Sequence, residues 1–484
     1  MTTAGRRAGE RAVKNVAIRA GGEIAGKLAS LVVFTVLAHE TGPAQVGVYV
    51  FALAWGEVTT GPLGLGIDRY LLRRVARDRD SVDALFFNAL ALKLTRGLVV
   101  LALTVVVALV VSWSGEKRAA VCLLTAGMLA DMLARSHMSV FNAFERGDLV
   151  ALAIVVQRWV AAGLGLAFLL AGYGVVAVSA AFLVGAVARL AVSFWLLGRR
   201  MHMPAFEFPR AARKELRSKS LPFTAQDVFG LVIARADILL LSALATATAV
   251  GLYGSAYRLL DATMFIAVAL TGAFSAMFTY LGDDTTPTLR SMFERANKLA
   301  LLALLPVAAA LAVLAEPICR LLFGADLAGA AVPLRFLAGV VAMYGVAGLC
   351  SSLVMSRVDP RSMLPIVAAS AVVNLGLNLA LLPSLGGKGA AITMLASEAV
   401  FLVPTVILAS RAVGAVDWPA IAAAPFVATG AMALVMLALH DWLLIALAAG
   451  GVVFLAVYAA AERLVRPADL AFAVSLVRRR LPAR

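Results

Sequence analysis

The chain has 484 residues, of which 62% are hydrophobic and only 15% charged, with a mean hydropathy of +0.93. Soluble domains are about 45–50% apolar and about 25% charged, so this composition excludes an ordinary soluble fold. The formal charge of +15 would suggest a nucleic-acid partner in a soluble protein; in a membrane protein the first question is where the positive charges lie.

Backbone groups in hydrocarbon must be hydrogen-bonded within the protein, which leaves helices or a closed barrel. The apolar runs are of spanning length, about 18–25 residues, and lack period-2 alternation, so helices are predicted. From the N-terminus, a basic, polar stretch from Met1 to Lys14 precedes a first apolar run too long for a secretory signal. Fourteen spans follow, over residues 16–39, 46–67, 88–112, 119–142, 149–171, 174–198, 221–245, 249–281, 297–323, 329–355, 362–384, 388–410, 419–439 and 441–462. Long polar loops are few. Gly61-Pro62, Gly64 and Gly66 in the second span and Pro306 and Pro317 in the ninth mark candidate bends; close packing of small residues between helices is the other reading of the glycines.

One alternate set of loops and termini holds 29 Lys and Arg, among them Arg73, Arg79, Arg146, Arg200, Arg213 and Arg357; the other set holds only Lys117, Arg118 and Lys388. The positive-inside rule then puts both termini in the cytoplasm and the chain in the inner membrane as a multi-pass protein. Trp113, Trp195, Trp418 and Trp442 stand at span ends. The net charge is accounted for by topology, and no nucleic-acid partner is called for.

Val46-Gly47-Val48-Tyr49 with Ala52 recurs as Val250-Gly251-Leu252-Tyr253 with Ala256. Leu169-Leu170 before Gly172 and Gly174 is echoed by Leu381-Leu382 before Gly387 and Gly389. These echoes lay spans 1–6 over spans 7–12 in the same orientation. The expected architecture is two six-helix lobes related by a pseudo-twofold axis along the membrane normal, plus two extra C-terminal helices. The corresponding divisions are an N-lobe over 1–200, a basic cytoplasmic linker over 201–220, a C-lobe over 221–411, two helices within 412–465 and a cytoplasmic tail over 466–484.

Several short elements resemble the polysaccharide-transporter branch of the MOP exporter superfamily. They are Lys14-Asn15 through Gly42-Pro43, Gly47-Val48-Tyr49 and Gly64-Leu65-Gly66 to Arg79; Pro222 before Arg235-x-Asp237; Val250-Gly251-x-Tyr253; Arg320-Leu-Leu-Phe323-Gly324; and Pro383 with Gly386-x-x-Gly389-Ala390-Ala391. The resemblance covers essentially the whole chain. It implies a flippase working by alternating access, with a central cavity that takes an undecaprenyl-pyrophosphate-linked oligosaccharide and moves it from the cytoplasmic to the periplasmic leaflet. A MATE-like ion-coupled multidrug exporter is the alternative. A membrane glycosyltransferase or polysaccharide polymerase is a weaker one, because no large catalytic loop is present.

Ionisable groups inside spans are costly and mark cavities or partners. Arg19, Glu23 and Lys27 share one helix face at i, i+4 and i+8. They read either as a self-satisfied ladder or as a cavity strip with positive charge left over. Arg235 and Asp237 face different directions, whereas Arg258 and Asp261, at i and i+3, can pair. A planar guanidinium bonds two phosphate oxygens at once. Arg19, Lys27, Arg235 and Arg258 are therefore the expected substrate-binding cations, a structural ion pair being the other reading. Glu57, Asp237 and Asp261 are the candidates for proton or sodium coupling. Cys122, Cys319 and Cys350 lie in spans without paired spacing, and the four histidines are scattered. No nucleotide, zinc or nucleophile motif appears, so neither catalytic residues, a bound metal nor a cofactor is predicted. The expected partners are the lipid-linked oligosaccharide, the phospholipid bilayer, and a polymerase or glycosyltransferases.

Overall fold

The computed structural model describes the backbone of residues 3–201, 203–280, 286–358 and 360–465; side chains are described from Gly26 onward, apart from short stretches of which the longest within a helix is 225–230. The described backbone is helical almost throughout. In chain order the helices are α1 (Thr3–Arg77), α2 (Ser81–Val110), α3 (Gly115–Ala143), α4 (Gly147–Leu170), α5 (Val175–Arg200), α6 (Arg210–Leu244) and α7 (Ala247–Tyr280). They continue as α8 (Thr286–Val313), α9 (Ala315–Phe323), α10 (Ala331–Arg357), α11 (Met363–Val413), α12 (Trp418–Ala438) and α13 (Leu443–Val465).

Two of these helices are hairpins. In α1 the backbone leaves helical geometry at Gly42 (φ 75°, ψ 175°), a conformation open to glycine and strained for other residues. The rings of Phe34 and Tyr49 lie 6.5 Å apart, whereas a straight helix would separate them by about 22 Å. In α11 the break is at Gly386 (φ 51°, ψ −131°). Asn374 Nδ2 donates to Ser397 Oγ at 3.1 Å across what a straight helix would make about 34 Å. Among the described residues eleven helices are long and apolar enough to cross a membrane. With the arms of α1 and α11 taken separately, and α6 added, the described residues hold fourteen helices of membrane length. Many bounds lie within a few residues of the predicted spans, but α1, α2, α6 and α8 begin 13, 7, 11 and 11 residues before the expected starts at 16, 88, 221 and 297, so the second half of the linker expected over 201–220 is helix.

The ninth span differs. One helix over 297–323 was expected; α8 instead stops at Val313 and a separate short helix, α9, starts at Ala315. Leu314 leaves helical geometry (φ −96°, ψ 22°), and Pro317, three positions on, has no N–H to continue the α8 ladder and is tolerated in the first turn of a new helix. Pro306 stays inside α8 and Pro62 inside α1. Gly61, Gly64 and Gly66 therefore mark no break in the second arm of α1. A Cβ on Gly64 would meet Met132 Cγ and lie 3.3 Å from Lys93 Cε, and one on Gly66 would lie 2.5 Å from Thr224 N and 2.6 Å from Ser220 O. The missing side chains let a lysine stem and the α6 backbone reach this helix.

The chain divides into two compact units, Met1–Gly251 and Leu252–Arg484. In the first, the α1 hairpin packs on α3, α4 and α6. One apolar core at the Arg-rich end gathers Ile67, Leu71, Phe86, Phe141, Leu149, Leu196 and Leu216. There Tyr70 donates to Glu215, and Arg74 approaches the same carboxylate at 3.5 Å, tying the end of α1 to the start of α6. Since α6 begins at Arg210, the basic residues Arg213, Lys214 and Arg217 ride on its first turns. In the second unit, α8 packs on α10 and α12, α10 on α11, and α12 on α13. Lys298 and Glu462, both buried, pair between α8 and α13. Large apolar side chains stay exposed along α2, including Leu98, Val99, Leu103, Val106, Leu109 and Val110. A stripe of that size suits acyl chains rather than water.

Candidate functional site

The intramembrane charges of the first unit form a set of ion pairs between helices. Glu57, on the second arm of α1, accepts from Arg235 Nε of α6 at 2.5 Å. The guanidinium is 23% and the carboxylate 31% exposed, so the pair is not sealed. The two residues expected to serve as substrate cation and coupling acid are thus each other's partners. Asp237, two positions on, points elsewhere, as the i, i+2 spacing requires. It is buried, and its Oδ1 accepts from Ile238 N at 2.8 Å.

Deeper in the unit, Lys93 of α2 is fully buried and donates to Asp68 Oδ1 at 2.5 Å and to Met132 O at 3.0 Å; Ser136 Oγ adds a bond to the same Asp68 oxygen at 3.2 Å. An ammonium with no access to water is tolerable only because a carboxylate and a carbonyl take its protons. Asp131 of α3 lies between two guanidiniums, Arg189 of α5 at 2.5 Å and Arg135, one turn along its own helix, at 3.4 Å. Gln157 Oε1 of α4 accepts a further Arg189 proton at 2.9 Å. Arg158, also on α4, donates to Ser30 Oγ at 2.9 Å. Its stem runs across Gly26, where a Cβ would lie 2.8 Å from Arg158 Cγ. That brings a second cation to the level of Lys27, which is half-buried.

Among these described groups, Lys27, Lys93, Arg135, Arg158, Arg189 and Arg235 face Glu57, Asp68, Asp131 and Asp237. Cations outnumber carboxylates six to four. Arg19 and Glu23 lie outside the residues whose side chains are described, so the ladder expected on the first span is described only at Lys27. In the second unit, Arg258 and Asp261 of α7 are both half-buried. The same unit has a polar seam on α11, where Asn378 Nδ2 donates to Asn374 Oδ1 at 3.0 Å and Ser370 Oγ to Ser397 O at 2.8 Å. Among the described residues no three His, Cys, Asp or Glu come together as a metal site.

Two charged partners escape the sequence reading. Asp68 falls one residue beyond the predicted end of its span, and Glu462 stands at the last residue of the fourteenth. A signal for the first was present, since a lysine in mid-span at 93 demands an acid at matching depth on another helix.

Residues 12–280 match the model of the family described as polysaccharide biosynthesis protein. The Probable low-salt glycan biosynthesis flippase Agl15 of Haloferax volcanii is 23% identical over 368 residues, covering 76% of each chain. Among solved structures, the lipid II flippase MurJ in an inward closed conformation is similar with a TM-score of 0.73 at 14% identity, over 93% of this chain and 99% of that one. An inward-facing multidrug resistance MATE family transporter of the MOP superfamily is similar with a TM-score of 0.65 at 18% identity, over 80% of this chain and 94% of that one. At these identities the two structures speak for the fold.

Proposed function

Because this chain belongs to the polysaccharide biosynthesis protein family, we propose that it is a flippase that carries an anionic, lipid-linked oligosaccharide across the cytoplasmic membrane, from the inner to the outer leaflet. In this reading the termini and the Arg-rich loops face the cytoplasm, an orientation the charge asymmetry supports. The observation that supports this reading is the cation-rich set within the helices of the first unit, where the described groups named above number six cations and four carboxylates. A diphosphate that leaves water must exchange its hydration for charge-assisted bonds, and guanidinium and ammonium groups supply them.

The Glu57–Arg235 pair gives the cycle a chemical form. With no cargo, Glu57 neutralises Arg235 at 2.5 Å. A diphosphate competes for the guanidinium, and Glu57, released from its cation, is then the first candidate for ion coupling. Arg19 and Lys27 of the first unit and Arg258 of the second are the further candidate cations for the cargo, and Asp237 and Asp261 the other candidate acids for coupling. The polyprenyl tail stays in lipid throughout. Glycosyltransferases supply the cargo on one side and a polymerase consumes it on the other.

The test is transport of a fluorescent polyprenyl-diphosphate oligosaccharide by the purified protein in vesicles, read as label protected from a membrane-impermeant quencher. Protein-dependent movement supports the reading. Vesicles with and without protein behaving alike would overturn it, and efflux of organic cations without movement of the lipid would assign the chain to drug export instead.

A further inference from the structure

A cavity of ≈ 500 Å³ lies at the Arg-rich end of the first unit, lined by Arg79, Asp80, Val82, Asp83, Val140, Phe144, Arg146, Arg200 and Met201. These residues come from the connections between α1 and α2 and between α3 and α4, the ends of the flanking helices, and the residue after α5. All three loops belong to the set that the cation count puts on one side of the membrane. The cavity lies where α2 and α4 begin and α3 and α5 end, and helices of spanning length bring such ends to the level of the lipid head groups.

Its charges are divided in an unusual way. Arg146 is fully engaged: Nε and Nη2 take both oxygens of Asp148 at 2.9 and 2.8 Å, and Nη1 reaches the Arg200 carbonyl at 3.4 Å. Asp83 is engaged too, its Oδ1 accepting from Ala205 N at 2.8 Å. The Arg79 guanidinium stands 5.1 Å over the Phe144 ring and has no carboxylate partner among the described residues, nor does that of Arg200. The Asp80 carboxylate caps no helix and forms no ion pair among them. Two guanidiniums and one carboxylate thus surround one hollow without meeting each other, above a floor made by Val82, Val140, Phe144 and Met201.

We propose that this cavity binds the head group of a zwitterionic aminophospholipid, with its phosphate between Arg79 and Arg200 and its ammonium on Asp80. Guanidinium forks match phosphate oxygens. The carboxylate, which would repel a purely anionic head group, instead accepts the primary amine. The apolar floor takes the glycerol end of the molecule. A head group bound here touches three connections at once and holds the ends of α2, α3, α4 and α5 in register. This is independent of the cargo assignment, since a lipid can occupy the pocket whether or not the chain moves glycans.

Native mass spectrometry of the full chain released from detergent, with ethanolamine, choline or glycerol phospholipids added at equal concentration, tests the proposal. The ethanolamine lipid is expected to survive activation best, because choline offers no N–H to Asp80 and a glycerol lipid meets its negative charge. The double variant Arg79→Gln, Arg200→Gln should retain about tenfold less of it, as loss of a charge-assisted contact implies, and Asp80→Asn should narrow the gap between ethanolamine and glycerol lipids. All three residues are exposed, so thermal unfolding of the variants should match the parent. Equal retention of the three lipids by the parent, unchanged retention in the double variant, or displacement of the lipid by millimolar inorganic phosphate would each overturn the proposal, the last by making this a site for free phosphate.

Discussion

Gly47 and Gly251 pack backbone to backbone. A Cβ on Gly47 would lie 3.0 Å from the Gly251 amide nitrogen and against the carbonyl of Ala247; one on Gly251 would lie 3.1 Å from the Gly47 nitrogen and against the carbonyl of Pro43. The contact is reciprocal to the residue, each glycine meeting the other and the position four before it. These are the two glycines of the Val-Gly-x-Tyr echo, 204 positions apart.

No side chain fits at that crossing. Gly47→Ala and Gly251→Ala should each destabilise the protein by about 1–3 kcal/mol, the usual cost of overpacking, seen as a lower unfolding temperature. Gly163→Ala is the control, since a Cβ there meets nothing within 4 Å, and in mid-helix it should be neutral or slightly stabilising. A Gly47→Ala protein as stable as the parent would remove the close approach from the account.

At Gly42 the cost is conformational rather than steric. Nothing lies within 4 Å of a Cβ there, yet φ is +75° with ψ 175°, so Gly42→Ala should cost about 1–3 kcal/mol from backbone strain alone. Thermal unfolding of Gly42→Ala beside Gly163→Ala separates the two mechanisms.

Lys93 and Asp68 should behave as a unit. Lys93→Met leaves a nearly buried carboxylate unpaired and is expected to destabilise by about 3–5 kcal/mol, while adding Asp68→Asn recovers most of that loss. Denaturant unfolding, or the yield of monodisperse protein on gel filtration, reads the difference. A double variant no better than Lys93→Met would mean the lysine acts through something other than this acid.

For Glu57 and Arg235 stability and transport should part company. The pair is partly open, so Arg235→Gln should cost less than the Lys93 change, about 1–2 kcal/mol, and Glu57→Gln with Arg235→Gln should restore the unfolding temperature. Movement of the lipid-linked oligosaccharide into vesicles should be lost in both. Normal transport by the double variant would take both residues out of the cycle.

Hydropathy is a local property, matched to bilayer thickness, and it determined the number of spans and the placement of most of them. The span expected over 119–142 is α3, Gly115–Ala143, and the one expected over 174–198 is α5, Val175–Arg200. Loop cations and the repeated glycine motif are likewise read directly from the chain. Which charges meet was decided only by the tertiary structure. Arg235 finds Glu57, 178 positions away, and Arg79 shares a cavity with Arg200, because partnership depends on the rotation and depth of each helix against its neighbours. No short stretch of sequence carries those two quantities; packing of glycines such as Gly47, Gly64 and Gly66 against other helices sets them.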